Sequence, residues 1–460
     1  MAQGEDRDAV DDLCLSGAVV GDDDAAHAGR AGEHSRRQNA THRAHDVVEA
    51  EVAQDEEIGR PYATRCPCCD GRSRWRGEHS GLGYGVRDDV GQLLWVGFPG
   101  PSLPPALRGK LDRGEVGATI VFKRNLVITS VAGGDGGAAD GDERCELEAL
   151  VALTHELHRP APDGSPALIA IDQEGGPVQR VRAPATRWPA MGAHERLAPP
   201  DDVATAELVG RALGDELAAL GFDVDFAPVL DVNSNPANPI IGVRAFGTDA
   251  PAVARRALAF ARGLDAAGVI ACGKHFPGHG DTQTDSHLEL PRIDHGWDRL
   301  ERVELLPFRL AAAAGLPMIM TAHVVFAALD PARPATLSEP VVTGLLRGKL
   351  GYRGVIVSDD LDMRAIAGHM GADVAAVAAV RAGCDVLLLC NSEENQAVAE
   401  AALIREAERD LEFREKVGRA AQRVRELKKA HAATSTRRSA TSRDIVGSAL
   451  HRRLAARLSG

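Results

Sequence analysis

The sequence predicts a (β/α)8 barrel of the TIM type, carrying a polar extension at each end. Three observations predict it. Short apolar runs alternate with longer helix-like segments between about residues 89 and 432, the pattern of a parallel sheet with crossover helices. Eight such runs can be counted. Polar residues gather where several of them end, and a barrel builds its sites at the C-terminal ends of its strands. In an open sheet, the alternative, those residues would be spread along an edge.

In order, the runs are 93–98, 118–122, 167–172, 224–231, 269–275, 318–324, 355–359 and 386–390. Most are near-continuous Val, Ile, Leu and Ala, as strands buried on both faces require. The segments between them carry helix signals. In one, Asp202 is a candidate cap, Val209, Leu213, Leu217 and Leu220 form an apolar stripe, and Gly221 is a stop signal. The polar strand ends are Asp172, Asp231, Lys274 with His275, His323 and Asp359.

Length and composition bound the rest. A chain of 460 residues allows about three domains, or one large barrel with additions. Lys and Arg number 53 against 66 Asp and Glu, and a net charge of −13 argues against capture by nucleic acid or an anionic membrane. No apolar run approaches the roughly 20 residues a membrane helix needs. The apolar patch 13–20 is broken by Ser16 and Gly17 and preceded by Asp11 and Asp12, a poor signal peptide. The expectation is a cytoplasmic monomer. Eight scattered cysteines do not suggest a disulfide framework, and Cys66, Cys68 and Cys69 lack a second ligand pair for zinc, so they read as reduced thiols.

Residues 1–88 differ in kind from the rest of the chain: the first lysine is Lys110, and no apolar periodicity persists. They read as a disordered extension, or as upstream sequence translated from a misplaced start. Residues 433–460 read as a polar tail in which 445–458 can form a short amphipathic helix. The barrel domain is therefore placed at 89–432.

Three motifs offer chemistry. Lys274-His275-Phe276-Pro277-Gly278-His279-Gly280-Asp281-Thr282, followed by Asp285-Ser286-His287, carries a strand into a glycine-containing loop. A histidine there, with an unperturbed pKa near 6.5, can exchange protons near neutrality, and Asp285 can fix the tautomer of His287. Two other readings stand beside this one: a solvated loop histidine, and a metal held by His275, His279, Asp281 and His287, beside which Lys274 would be an unhelpful cation. Ser358-Asp359-Asp360 ends the seventh run with paired carboxylates. Strand alternation turns Asp359 into the mouth and Asp360 away, so Asp359 can attack an anomeric carbon; helix capping by one of the three is the structural alternative. Asp172-Gln173-Glu174-Gly175-Gly176, with Arg180 and Arg182 downstream, and Arg244 after Asn233, Asn235 and Asn238, supply acceptors and guanidinium forks for sugar hydroxyls.

With these motifs in this order, and with Asn235-Pro236-Ala237-Asn238-Pro239 between them, residues 92–430 resemble the glycoside hydrolase family 3 β-N-acetylhexosaminidases of the NagZ type, in their single-domain form. The resemblance implies Asp359 as nucleophile and His287 with Asp285 as acid/base pair. It also implies that Asp172, Arg180, Arg244, Lys274 and His275 hold the N-acetylglucosamine hydroxyls, with no metal and no cofactor. The implied activity is that of a retaining exo-β-N-acetylglucosaminidase acting on small carbohydrates, the muropeptides of peptidoglycan recycling. A phosphorylase or a β-glucosidase of the same architecture, a Schiff-base lyase using Lys274, and a sugar-binding protein without catalysis are the competing functions. Pro177 departs from the family, which has an arginine there, and this affects one polar contact at the rim.

A histidine acid also has a physical rationale. Two carboxyl groups about 5 Å apart repel, whereas protonated His287 would attract Asp359. Its place after Gly278 and Gly280 suggests a loop that swings in when substrate binds.

Overall fold

Aliphatic runs buried on both faces pair in parallel, and closing the sheet on itself removes its exposed edges. The computed structural model describes residues 85–130, 143–159, 166–284, 290–435 and 442–459. Its barrel strands are β1 (Leu94–Val96), β2 (Ala118–Val121), β3 (Leu168–Ile171), β4 (Val224–Asp225), β5 (Ile270–Phe276), β6 (Met318–Thr321), β7 (Val355–Asp360) and β8 (Val386–Leu389). Each pairs with the next in sequence and β8 returns to β1, all in parallel. All eight predicted runs are barrel strands. The fourth is shorter than the run 224–231, because Pro228 has no N–H to donate, and the chain rejoins the sheet at a bridge between Val229 and Lys274.

The outer layer is α1 (Pro105–Asp112), α2 (Leu147–Leu157), α3 (Asp201–Ala219), α4 (Ala250–Ala266), α5 (Leu306–Ala314), α6 (Pro340–Lys349), α7 (Ala372–Ala382) and α8 (Glu393–Arg409). In α3 the stripe Val209, Leu213 and Leu217 is buried as its spacing requires, and Gly221, at φ +88°, ends the element. Asp202 is not its cap. It lies inside the first turn, buried, and accepts from Arg256 Nε on α4 at 2.8 Å. On α4, Asp249 caps the N–H of Ala252 at 3.0 Å.

Trp95, Phe226, Ile270, Met318, Val357 and Leu388 belong to the cluster that fills the barrel, each worth about 1.5–3 kcal/mol of burial. Helix α9 (Leu411–Ser435) closes the barrel floor: its Val424 joins the same cluster.

At both ends the boundaries move. A helix begins at Val86, inside the stretch read as an extension. The rest of that stretch, with Cys66, Cys68 and Cys69, lies outside the described residues. Nor is 433–460 a free tail throughout: α9 runs to Ser435, and α10 (Ala449–Ser459) buries His451, Ala455 and Leu458. Among the described residues no helix is long and apolar enough to cross a membrane.

Candidate active site

Two barrel strands each carry one residue too many for a neighbour. Between the pairs Gly273–Ile319 and Phe276–Thr321, β5 takes three steps where β6 takes two. Between Val357–Val386 and Asp360–Leu388, β7 takes three where β8 takes two. A bulge re-aims the side chains around the extra residue, and these two fall at Lys274–His275 and Ser358–Asp359.

Lys274, re-aimed in this way, is buried and ion-paired. Its Nζ donates to Asp172 Oδ1 at 2.8 Å and lies 2.6 Å from Glu174 Oε1. Asp172 Oδ2 accepts from Arg180 Nη2 at 3.3 Å. Glu174 takes two parallel bonds from Arg244 Nε and Nη2, each 2.8 Å. Burial favours the neutral forms of both carboxyls, but Lys274 and Arg180 hold Asp172 below the usual range, and Arg244 with Lys274 hold Glu174 down to about 2. Burial also favours a neutral amine, yet the Asp172 and Glu174 carboxylates outweigh it and raise the Lys274 pKa. A lysine kept cationic is a hydroxyl donor, not the neutral nucleophile a Schiff base requires.

His275 is held by Asp231. Nδ1 donates to Asp231 Oδ2 at 2.7 Å, and that carboxylate also accepts the backbone N–H groups of His275 at 3.2 Å and His279 at 2.6 Å. Nδ1 being occupied, Nε2 is the nitrogen left to meet a ligand.

Asp359 Oδ1 accepts the N–H of Asp360 at 2.8 Å. Burial works against its ionisation, but His323, His275 and Lys274 together lower its pKa, so a charged carboxylate stands beside the lysine and histidine of β5. Asp360 turns away as alternation requires. It accepts from Cys390 N at 3.1 Å and Asn391 Nδ2 at 3.0 Å, and burial with the neighbouring Asp362 pushes it up to about 7. Ser358 Oγ accepts from Leu388 N at 3.0 Å. None of the three caps a helix; the next one, Arg364–Ala367, starts after Met363.

The loop beyond β5 begins on two closely packed glycines. A Cβ on Gly280 would lie 1.7 Å from the Val232 carbonyl oxygen, and one on Gly278, at φ +136°, would lie 2.9 Å from Glu304 Cβ. These glycines permit close approach and are not free pivots. Asn238 Nδ2 donates to His279 O at 2.9 Å and to Thr282 Oγ1 at 3.2 Å, fixing the stem through Thr282. His279 is inside this stem, its Nδ1 2.8 Å from Thr282 Oγ1, and burial and then the charge of His275 push its pKa down to about 4. Among the described residues no group of three or more His, Cys, Asp or Glu is placed to hold a metal. Asp285 and His287 lie outside the described residues.

Asp172, Arg180, Arg244, Lys274, His275 and Asp359 are thus joined in one bonded and electrostatic network. Sequence reading placed Asp231 and His323 at strand ends and Glu174 in an acceptor motif without naming their partners, and passed over Asp225. Glu174 carried a usable signal, since it lies two residues after Asp172, the strand period. Asp225, which accepts Gln173 N at 2.9 Å, carried little; His323, marked by its strand end, donates from Nε2 to Asp360 O at 3.0 Å.

A model of the glycosyl hydrolase family 3 N-terminal domain matches residues 85–427. The chain is 38% identical over 312 residues to beta-hexosaminidase A of Pseudoalteromonas piscicida, covering 64% of this chain and 49% of that protein, so it spans about half that relative's length. It is 41% identical over 304 residues to a beta-hexosaminidase of Alkalilimnicola ehrlichii, covering 65% of this chain and 81% of that one. Among solved structures, a family 3 beta-N-acetylglucosaminidase from Paenibacillus sp. superimposes with a TM-score of 0.70 at 38% identity, covering 82% of this chain and 68% of that one. NagZ from Neisseria gonorrhoeae, in complex with N-trifluoroacetyl-D-glucosamine, does so with a TM-score of 0.57 at 31% identity, covering 72% and 98%.

Proposed function

The chain belongs to glycosyl hydrolase family 3 and is a glycoside hydrolase of the β-hexosaminidase type, and from that premise we propose a retaining exo-β-N-acetylglucosaminidase whose catalytic unit is 89–432. The observation that carries this reading is the ionised Asp359, held at a bulge at the end of β7 within reach of the charges of His275 and Lys274.

In the first step the Asp359 carboxylate forms a bond to the anomeric carbon as the glycosidic C–O bond breaks, and the leaving oxygen takes a proton from His287. In the second, His287, oriented by Asp285, takes a proton from water as the water oxygen attacks that carbon and Asp359 leaves. The cationic Lys274 and Arg180, with Asp172 and the Nε2 of His275, hold the sugar hydroxyls, while Arg244 fixes Glu174 behind them. The Arg180 side chain, 31% exposed beside Asp172, is open to a ligand and supports this role.

The N-acetylglucosamine analogue held by the Neisseria relative supports the 2-acetamido sugar, and a peptidoglycan-derived muropeptide is the substrate proposed. The same reading takes the enzyme as a cytoplasmic monomer, in keeping with its charge of −13 and the free, buried thiols of Cys145, Cys272, Cys384 and Cys390. Kinetics on aryl β-N-acetylglucosaminides test it. Asp359→Ala should abolish turnover, and His287→Ala should slow poor leaving groups more than good ones; near wild-type rates for Asp359→Ala would refute the assignment.

A further inference from the structure

Segment 442–459 lies beyond residues 85–427, the stretch shared with the family, yet it is tied to a carboxylate that the chemistry does not use. Glu216, on α3, is buried. Its Oε1 accepts from the backbone N–H of Gly447 at 2.9 Å, from His451 Nδ1 at 2.8 Å and from Thr186 Oγ1 at 2.5 Å; its Oε2 accepts Thr186 N at 3.1 Å. One carboxylate therefore joins segment 442–459 to the strap that leaves β3. The approach is close: a Cβ on Gly447, at φ +65°, would lie 1.9 Å from the Pro184 carbonyl oxygen. Arg196 Nη2 donates to Leu458 O at 3.1 Å, and the rings of His451 and Trp188 lie 6.0 Å apart.

From Thr186 the bonds lead to the sugar-binding groups. Gln179 Nε2 donates to Thr186 O at 2.7 Å, and Gln179 Oε1 accepts Trp188 N at 3.1 Å. Trp188 O accepts the N–H of Gly176 at 2.9 Å, in the turn just after Glu174. Gln173, next to Asp172, accepts Arg180 N at 2.8 Å and Val181 N at 3.1 Å. The backbone that aims Arg180 at Asp172 is thus bonded on one side to the barrel and backed on the other by segment 442–459. Buried hydrogen-bonded networks of this kind rigidify what they join.

We propose that segment 442–459 positions Arg180 for the sugar, with Glu216 and His451 as positioning residues. This rests on the proposed glucosaminidase activity. A group that grips ground and transition state alike registers in KM and not in kcat.

The experiment uses the full chain and 4-nitrophenyl N-acetyl-β-D-glucosaminide. His451→Ala, which removes one donor to Glu216, should raise KM about tenfold, equivalent to one weakened hydrogen bond, with kcat changed less than about twofold. Thr186→Val, acting from the other side of the same carboxylate with a smaller change of shape, should do the same and decides the matter if His451→Ala does not fold. His451→Asn keeps a donor near the position of Nδ1 and should restore KM. A KM within about twofold of wild type in the folded variants, whatever happens to Tm, would overturn the proposal, because a purely structural clamp lowers stability and leaves KM alone. A wild-type chain that does not turn over this substrate would instead refute the activity on which the proposal rests.

Discussion

Replacing Lys274 by Met keeps the length of the side chain and removes the ammonium between Asp172 and Glu174. At separations of 2.8 and 2.6 Å, each contact is worth roughly 6 kcal/mol of attraction at an effective dielectric of about 20, and desolvation of the charges cancels most of it. Deleting one partner leaves that desolvation uncompensated, so Lys274→Met should cost about 3–5 kcal/mol at pH 7. The loss should depend on pH, with a sign fixed by the two carboxyls. In the wild type both sit below their usual values, Glu174 at about 2. Their contribution is fully present above the unfolded values near 4 and fades only as pH falls through the folded ones. In the variant Arg244 still holds Glu174, but Asp172 loses its main counter-charge and keeps only Arg180, so burial weighs more, its folded value rises and the penalty grows as pH rises past about 4. Urea unfolding of both proteins at pH 7 and pH 4.5 should therefore show a gap that narrows by about 1–2 kcal/mol at the lower pH. A gap below about 1 kcal/mol at pH 7, or one unchanged with pH, would refute the reasoning.

Two further variants probe the frame around the site. Burial pushes Asp225 well above the usual carboxylate range and its Oδ2 has no partner among the described residues, so the folded protein disfavours its charged form. Because its folded pKa is raised, Asp225→Asn should raise stability at pH 7 and by much less near pH 4; an equal gain at both, in thermal melts, would contradict this. Gly280→Ala places a Cβ 1.7 Å from the Val232 carbonyl oxygen, a backbone atom that no rotamer change can move. It should cost about 1–3 kcal/mol or prevent folding; an unchanged Tm would contradict this.

The barrel was legible because its signal is local: each strand is a run of aliphatic residues, and β1 to β8 all lie on predicted runs. What escaped depended on partners far along the chain. Asp202 reads as a helix cap until Arg256, 54 residues on, is seen to occupy it. Residues 442–459 read as part of a tail because the carboxylate that anchors them, Glu216, is 235 residues from His451. The site shows the same division. Asp172, Arg180, Arg244, Lys274, His275 and Asp359 stood out at strand ends or in loops, whereas the task of Asp231 emerges only once His275 lies against it. Gly278 and Gly280 show a further limit, since one residue type serves both free movement and close approach, and only the neighbouring Val232 and Glu304 distinguish them.

The role of Asp359 is tested most directly by mass spectrometry of the enzyme quenched while it turns over a fluorinated N-acetylglucosaminide, in which fluorine slows the second step. Digestion should yield a single glycosylated peptide, the modification sitting on Asp359 and disappearing in Asp359→Asn. A sugar bonded to any other side chain, or steady hydrolysis with no bonded sugar at any quench time, would contradict it.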